Sequence, residues 1–132
     1  MKRKILIVED NVGLSQMQKD WLSQAGYDAV TAMNETIARS LIRRTQFDLI
    51  LSDVRLPEGD GISLLEWLRK EKKDIPFILT TEYVSVSDVV RTIKLGARDY
   101  LPKPVRREHL LELAEDVFRP VATVRRLSLI HI

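Results

Sequence analysis

An α/β fold, a doubly wound five-stranded parallel sheet, is what this sequence predicts, and three observations carry the prediction. Short apolar runs recur along the chain, each bounded by turn residues. Between them lie segments whose apolar residues return every three or four positions, the helical period. The run Leu49-Ile50-Leu51-Ser52 ends in Asp53 and then in a turn rich in Pro, Gly and Asp. Ligand sites of open α/β sheets lie at such carboxyl ends, and strands alternating with helices give a parallel sheet covered on both faces.

Ile5-Leu6-Ile7-Val8 reads as the first strand, closed by Glu9-Asp10-Asn11. The helix after it places Leu14, Met17, Trp21 and Leu22 on one face and stops at Gly26. Ala29 to Ala32 is the second strand. Asn34 caps a helix whose Ile37, Ala38, Leu41 and Ile42 are expected to face inward. The strand ending at Asp53 follows. Ile62, Leu65 and Leu68 mark a third helix that runs into the charged stretch from Arg69 to Asp74. Phe77 to Thr80 forms the strand after Pro76. Val86, Val89, Val90 and Ile93 mark a fourth helix, ended at Gly96. Asp99-Tyr100-Leu101 is extended, because Pro102 and Pro104 disfavour helix around them. A last helix carries Leu110, Leu111, Ala114, Val117 and Phe118 and closes at Pro120.

The 132 residues, 45% hydrophobic and 30% charged, suit one domain large enough to bury a core. With 21 basic and 19 acidic residues the net charge is +2, too balanced to argue for direct nucleic-acid binding. The absence of cysteine excludes disulfides and thiolate metal sites. No apolar run reaches the length of a membrane span, and the four apolar residues after Lys4 are too few for a signal peptide. These features predict a soluble, cytoplasmic domain. The stretch from residue 120 to 132 lacks a clean period and reads as a linker or the start of a missing output region.

If the first and third strands are neighbours, Glu9, Asp10 and Asp53 converge. Two carboxylates about 4 Å apart repel by roughly 4 kcal/mol at an effective dielectric near 20. Three of them call for a compensating cation, and oxygen donors without His or Cys suit Mg²⁺. Thr81 and Lys103 fall at adjacent strand ends, where a hydroxyl and an ammonium would meet phosphoryl oxygens on Asp53. Each residue alone has an ordinary explanation: a turn-starting Asp, a helix cap at Asp10 or Asn11, a β-favouring Thr, a surface Lys. Together they make the parts list of phosphoryl transfer.

The motifs Ile7-Val8-Glu9-Asp10-Asn11, Ser52-Asp53-Val54-Arg55-Leu56-Pro57 with Asp60-Gly61, Pro76 through Thr81, and Gly96-Ala97-Arg98-Asp99-Tyr100-Leu101-Pro102-Lys103-Pro104 resemble the receiver domain of two-component response regulators. The resemblance spans about Lys4 to Arg119 and implies a flavodoxin-like three-layer sandwich over residues 1–119. It implies that Asp53 accepts a phosphoryl group from a sensor histidine kinase. Asp10 is then the direct Mg²⁺ ligand, Glu9 acts mainly through water, and Arg55 contributes its main-chain carbonyl. Thr81, 28 residues after Asp53, matches the switch hydroxyl, with Thr80 as the competing register. Lys103 matches the phosphate-pairing lysine, and the bond to Pro104 is where the family usually has a cis peptide. Tyr100 matches the aromatic that changes rotamer on activation. Such a domain is a switch that catalyses only its own phosphorylation and dephosphorylation.

Glu82 stands where a small residue is common, and it and Tyr83 are expected to modulate autodephosphorylation, as is Arg55. The stretch from Tyr83 to Leu101 is most like receivers of the nitrogen-regulatory, enhancer-binding activators, which carry an AAA+ ATPase and a DNA-binding domain beyond the receiver. That likeness implies control of transcription. The basic cluster Arg91, Lys94, Arg98, Arg106 and Arg107 is expected to edge a dimer or partner face, a homodimer through the fourth and fifth helices, with a solvated helix surface as the plainer reading. Two competing readings stand beside the switch. A haloacid-dehalogenase-like phosphatase would want Asp-x-Asp where this chain has Glu9-Asp10, and a non-phosphorylated adaptor would usually lack one of the five groups present here.

Overall fold

The computed structural model describes residues 2–82 and 85–119. Its elements alternate throughout: β1 (Lys4–Val8), α1 (Val12–Gln24), β2 (Asp28–Ala32), α2 (Glu35–Arg44), β3 (Leu49–Asp53), α3 (Gly61–Lys70), β4 (Phe77–Thr81), α4 (Val86–Lys94), β5 (Asp99–Pro102) and α5 (Arg107–Phe118). The strands form one parallel sheet in the order β2-β1-β3-β4-β5. This is the doubly wound arrangement that the pattern predicts, and the order reverses between β1 and β3, where such sheets open a crevice.

The pleat sends alternate residues to opposite faces, so each strand feeds two cores. Leu6, Val8, Ile50, Phe77 and Leu79 meet Ala38 and Ile42 of α2 and Leu64, Leu65 and Leu68 of α3. Ile5, Ile7, Leu49, Leu51, Ile78 and Leu101 meet Leu22 of α1 and Leu110 and Ala114 of α5. Asn11, Asn34, Asp60 and Ser85 cap α1 to α4, each accepting a hydrogen bond from a backbone amide in the first turn.

In three helices the buried face does not coincide with the apolar face that the period marks. In α1 the buried positions are Ser15, Gln18 and Leu22, while Met17 is exposed. In α2, Ile37 is exposed although Ala38 and Ile42 are buried. In α4, Val86, Val90 and Ile93 are 81%, 47% and 64% exposed, and the buried residue is Thr92. A polar residue can occupy that position because its hydroxyl is satisfied, donating to the Asp88 carbonyl at 2.8 Å. The expected stop at Pro120 and the stretch from 120 to 132 lie outside the described residues.

Candidate functional site

Parallel pairing of β1 with β3 brings Val8 opposite Ser52, so the residues that follow each strand emerge side by side. Glu9 and Asp53 are 3% and 8% exposed, and Asp10 stands out in solvent. One carboxylate oxygen from each of the three lies within 4.8 Å of the others. Lys103, delivered by the end of β5, closes the group. Its ammonium donates to Asp53 Oδ2 at 2.7 Å and Glu9 Oε1 at 2.9 Å.

Backbone amides take up further oxygens. Asn11 N donates to Glu9 Oε2 at 3.0 Å, and Arg55 N to Asp53 Oδ1 at 3.2 Å. Burial pushes the Glu9 carboxyl above its ordinary value and the Asp53 charge adds to this, against the pull of the Asn11 amide and of Lys103. For Lys103, burial works downward, but the bonds to Asp53 and Glu9 outweigh it and hold the ammonium above its ordinary value.

The loop beneath this cluster is shaped by close backbone contact. A Cβ on Gly61 would lie 2.3 Å from the Asp53 carbonyl oxygen, so α3 starts flush against the end of β3. Arg55 and Asp60 form an antiparallel bridge across the loop, which carries Arg55 at the rim of the cleft.

Thr81 is buried, ends β4 and lines the cleft, as does exposed Glu82. Thr80, the alternative register, pairs with Asp53 across the strands and is absent from the lining. The Lys103–Pro104 peptide is cis. Tyr100 sits apart from the acids, half-buried, its hydroxyl bonded to that of Thr92 and 3.2 Å from the Asp88 carbonyl. Tyr83 lies outside the described residues. Of the five expected cations around α4 and α5, Arg91 is paired with Glu66 and Arg98 with Asp116 at 3.2 Å, so part of that charge is already neutralised.

Sequence reasoning missed Glu35, a buried acid whose carboxylate accepts from Asp60 N at 3.2 Å. Its place one residue after the Asn34 cap suggests only a favourable helix-dipole charge.

The family model for the response regulator receiver domain matches residues 5–115. The chain belongs to that family. This receiver domain is 34% identical to response regulator protein PilR of Pseudomonas aeruginosa over 89% of the chain and 26% of PilR. It is 41% identical to the transcriptional regulatory protein VxrB of Vibrio cholerae over 83% of the chain and 44% of VxrB. The chain thus spans less than half the length of either curated relative. Its fold matches the non-phosphorylated HemR receiver domain of Leptospira biflexa with a TM-score of 0.82 and 37% identity, covering 90% of this chain and 98% of that one. The receiver is a signalling module of two-component systems rather than a classical enzyme. Among the described residues, no helix is long and apolar enough to cross a membrane.

Proposed function

We propose that this receiver is a phosphorylation-activated switch in which Asp53 takes a phosphoryl group from the phosphohistidine of a sensor histidine kinase. The observation that carries the reading is the Lys103 ammonium shared between Asp53 and Glu9, beside a third carboxylate. Three oxygen donors within reach of one centre, with no nitrogen or sulfur ligand among them, fit Mg²⁺. Glu9, Asp10 and Asp53, with the main-chain carbonyl of Arg55, would hold it. When bound, Mg²⁺ neutralises the carboxylates and the incoming phosphoryl oxygens.

Asp53 attacks phosphorus in line as the bond to the kinase imidazole breaks, so the chain contributes positioning and charge rather than covalent chemistry beyond the nucleophile. Lys103 exchanges its Asp53 oxygen for a phosphoryl oxygen. The product carries about −1.5 to −2 charge at pH 7. The Thr81 hydroxyl is drawn toward it, and Tyr100 leaves its bonds to Thr92 and Asp88 to fill the vacated space. Moving a switch from 1:99 to 99:1 takes roughly 5.5 kcal/mol, which several charge-assisted hydrogen bonds can supply and a single surface contact cannot.

The apolar residues left exposed on α4 support a homodimer through the α4 and α5 face. Residues 1–119 act as the receiver and 120–132 lead toward an output region, an AAA+ and DNA-binding pair by the likeness to nitrogen-regulatory activators. The setting is cytoplasmic, and the output is transcription. Glu82 and Tyr83 tune how long the acyl phosphate survives.

The test is intact mass after incubation with acetyl phosphate and Mg²⁺. Wild type gains one phosphoryl group and Asp53→Asn gains none. A wild type that takes up no phosphate, or an Asp53→Asn variant that still does, refutes the proposal.

A further inference from the structure

Glu35 opens α2, does not line the acidic cleft and is only 7% exposed. A carboxylate in that position ordinarily points to water and gains a little from the helix dipole. This one is withdrawn from water, which is unfavourable unless its partners compensate. Its partners join three elements. Oε1 accepts from the backbone amide of Asp60, 25 residues away, at 3.2 Å. Oε2 accepts from Ser63 Oγ of α3 at 3.4 Å and from the Arg39 guanidinium one turn along α2. Arg39 in turn lies over the Trp67 ring of α3, 5.1 Å from its centroid.

The backbone rests directly on this carboxylate. A Cβ at Gly59, where φ is +85°, would come within 2.1 Å of Glu35 Oε1. The next residue, Asp60, bridges Arg55 and caps α3 through Ser63 N at 2.6 Å. Gly61 N donates to the Val54 carbonyl at 2.8 Å. Glu35 is thus tied through Asp60 to the residue that carries the carbonyl at the rim of the acidic cleft.

We propose that Glu35 is a positioning residue for the divalent ion: it fixes the Gly59–Asp60 backbone and so the placement of the Arg55 carbonyl. The inference rests on the ion-site reading given above. Mg²⁺ demands near-ideal octahedral geometry, so a main-chain ligand on a loose loop is a poor one. Groups that orient ligands from outside typically contribute 10–100-fold in metal affinity. Reach, more than charge, is what the geometry requires, because the bond to Asp60 N needs only an acceptor at the Oε1 position.

Calorimetric titration of the full chain with MgCl₂ tests this, with thermal unfolding followed in parallel. Glu35→Asp keeps the charge but withdraws the acceptor, and its Mg²⁺ affinity falls roughly tenfold. Glu35→Gln keeps an acceptor for Asp60 N but turns its amide nitrogen toward the Arg39 guanidinium, so its Mg²⁺ affinity falls less than that of Glu35→Asp. Ile42→Val, seven residues along α2 from Glu35, thins the core under the helix, lowers thermal stability and leaves Mg²⁺ affinity unchanged. Wild-type affinity in Glu35→Asp overturns the proposal, as does an equal fall in Glu35→Gln or in Ile42→Val. A wild type with no saturable Mg²⁺ heat instead sinks the ion-site reading, and the role of Glu35 with it.

Discussion

Replacing Lys103 with methionine keeps most of the aliphatic stem and removes the ammonium that bridges Asp53 and Glu9. With Asp10 included, three carboxylate oxygens stand within 4.8 Å of one another and lose the ammonium that joins two of them. At that separation each ionised pair repels by roughly 3.5 kcal/mol at an effective dielectric near 20. Breaking a buried pair by deleting one partner costs about 3–5 kcal/mol. Because Lys103 keeps 14% side-chain exposure at the cleft mouth, we expect the lower end, about 3 kcal/mol. For a domain of this size that is roughly 10 °C in Tm.

The pH dependence of that loss has a definite sign. Burial already holds the Glu9 carboxyl above its ordinary value of 4.5, and removing the ammonium raises it further. A raised folded-state pKa contributes stability that is present below the unfolded value and lost as pH climbs through the folded one. The deficit of Lys103→Met is therefore largest near pH 7 and shrinks as pH falls toward the ordinary carboxyl value of 4.5, because protonation relieves the repulsion. Millimolar Mg²⁺ should shrink it too, raising the urea midpoint of the variant more than that of wild type. Urea unfolding of both proteins at the two pH values, with and without MgCl₂, measures all of this. A deficit of equal size under every condition would refute the reasoning, since lost packing rather than charge would then be its cause.

Three further outcomes follow from the same geometry. In wild type the raised Lys103 pKa contributes stability that is full below 10.5 and lost as pH rises through the folded value, so urea midpoints measured above that pH should fall more steeply than those of Lys103→Met. Gly61→Ala drives a Cβ toward the Asp53 carbonyl and should cost about 1–3 kcal/mol by denaturant unfolding, with slower phosphorylation as β3 and α3 are pushed apart. Tyr100→Phe removes the hydroxyl that joins β5 to Thr92 and Asp88, costs about 1 kcal/mol, and should speed amide exchange along α4 while leaving β1 and β3 protected.

The alternation of apolar runs and helical periods determined the five-stranded sheet, because hydrophobic spacing reports element type directly and βαβ handedness leaves few ways to connect the pieces. The cap at Asn34 was readable for the same local reason, while for α1 the structure chose Asn11 over Asp10. So was the gathering of Glu9, Asp10, Asp53, Thr81 and Lys103 at one edge, since each terminates or follows a strand and parallel strands end together. Helix rotation was not readable. Val86, Val90 and Ile93 have the period of a buried stripe, yet Thr92 faces inward, and only the position of α4 against β5 and Tyr100 decides which stripe is covered. Nor was the anchoring of the β3–α3 loop by Glu35, which depends on α2 and α3 lying side by side. Local sequence dictates what each segment becomes and where a strand stops. Which faces meet, and which buried charges find partners, depends on contacts between residues far apart in the chain, and those exist only once the sheet has closed its order.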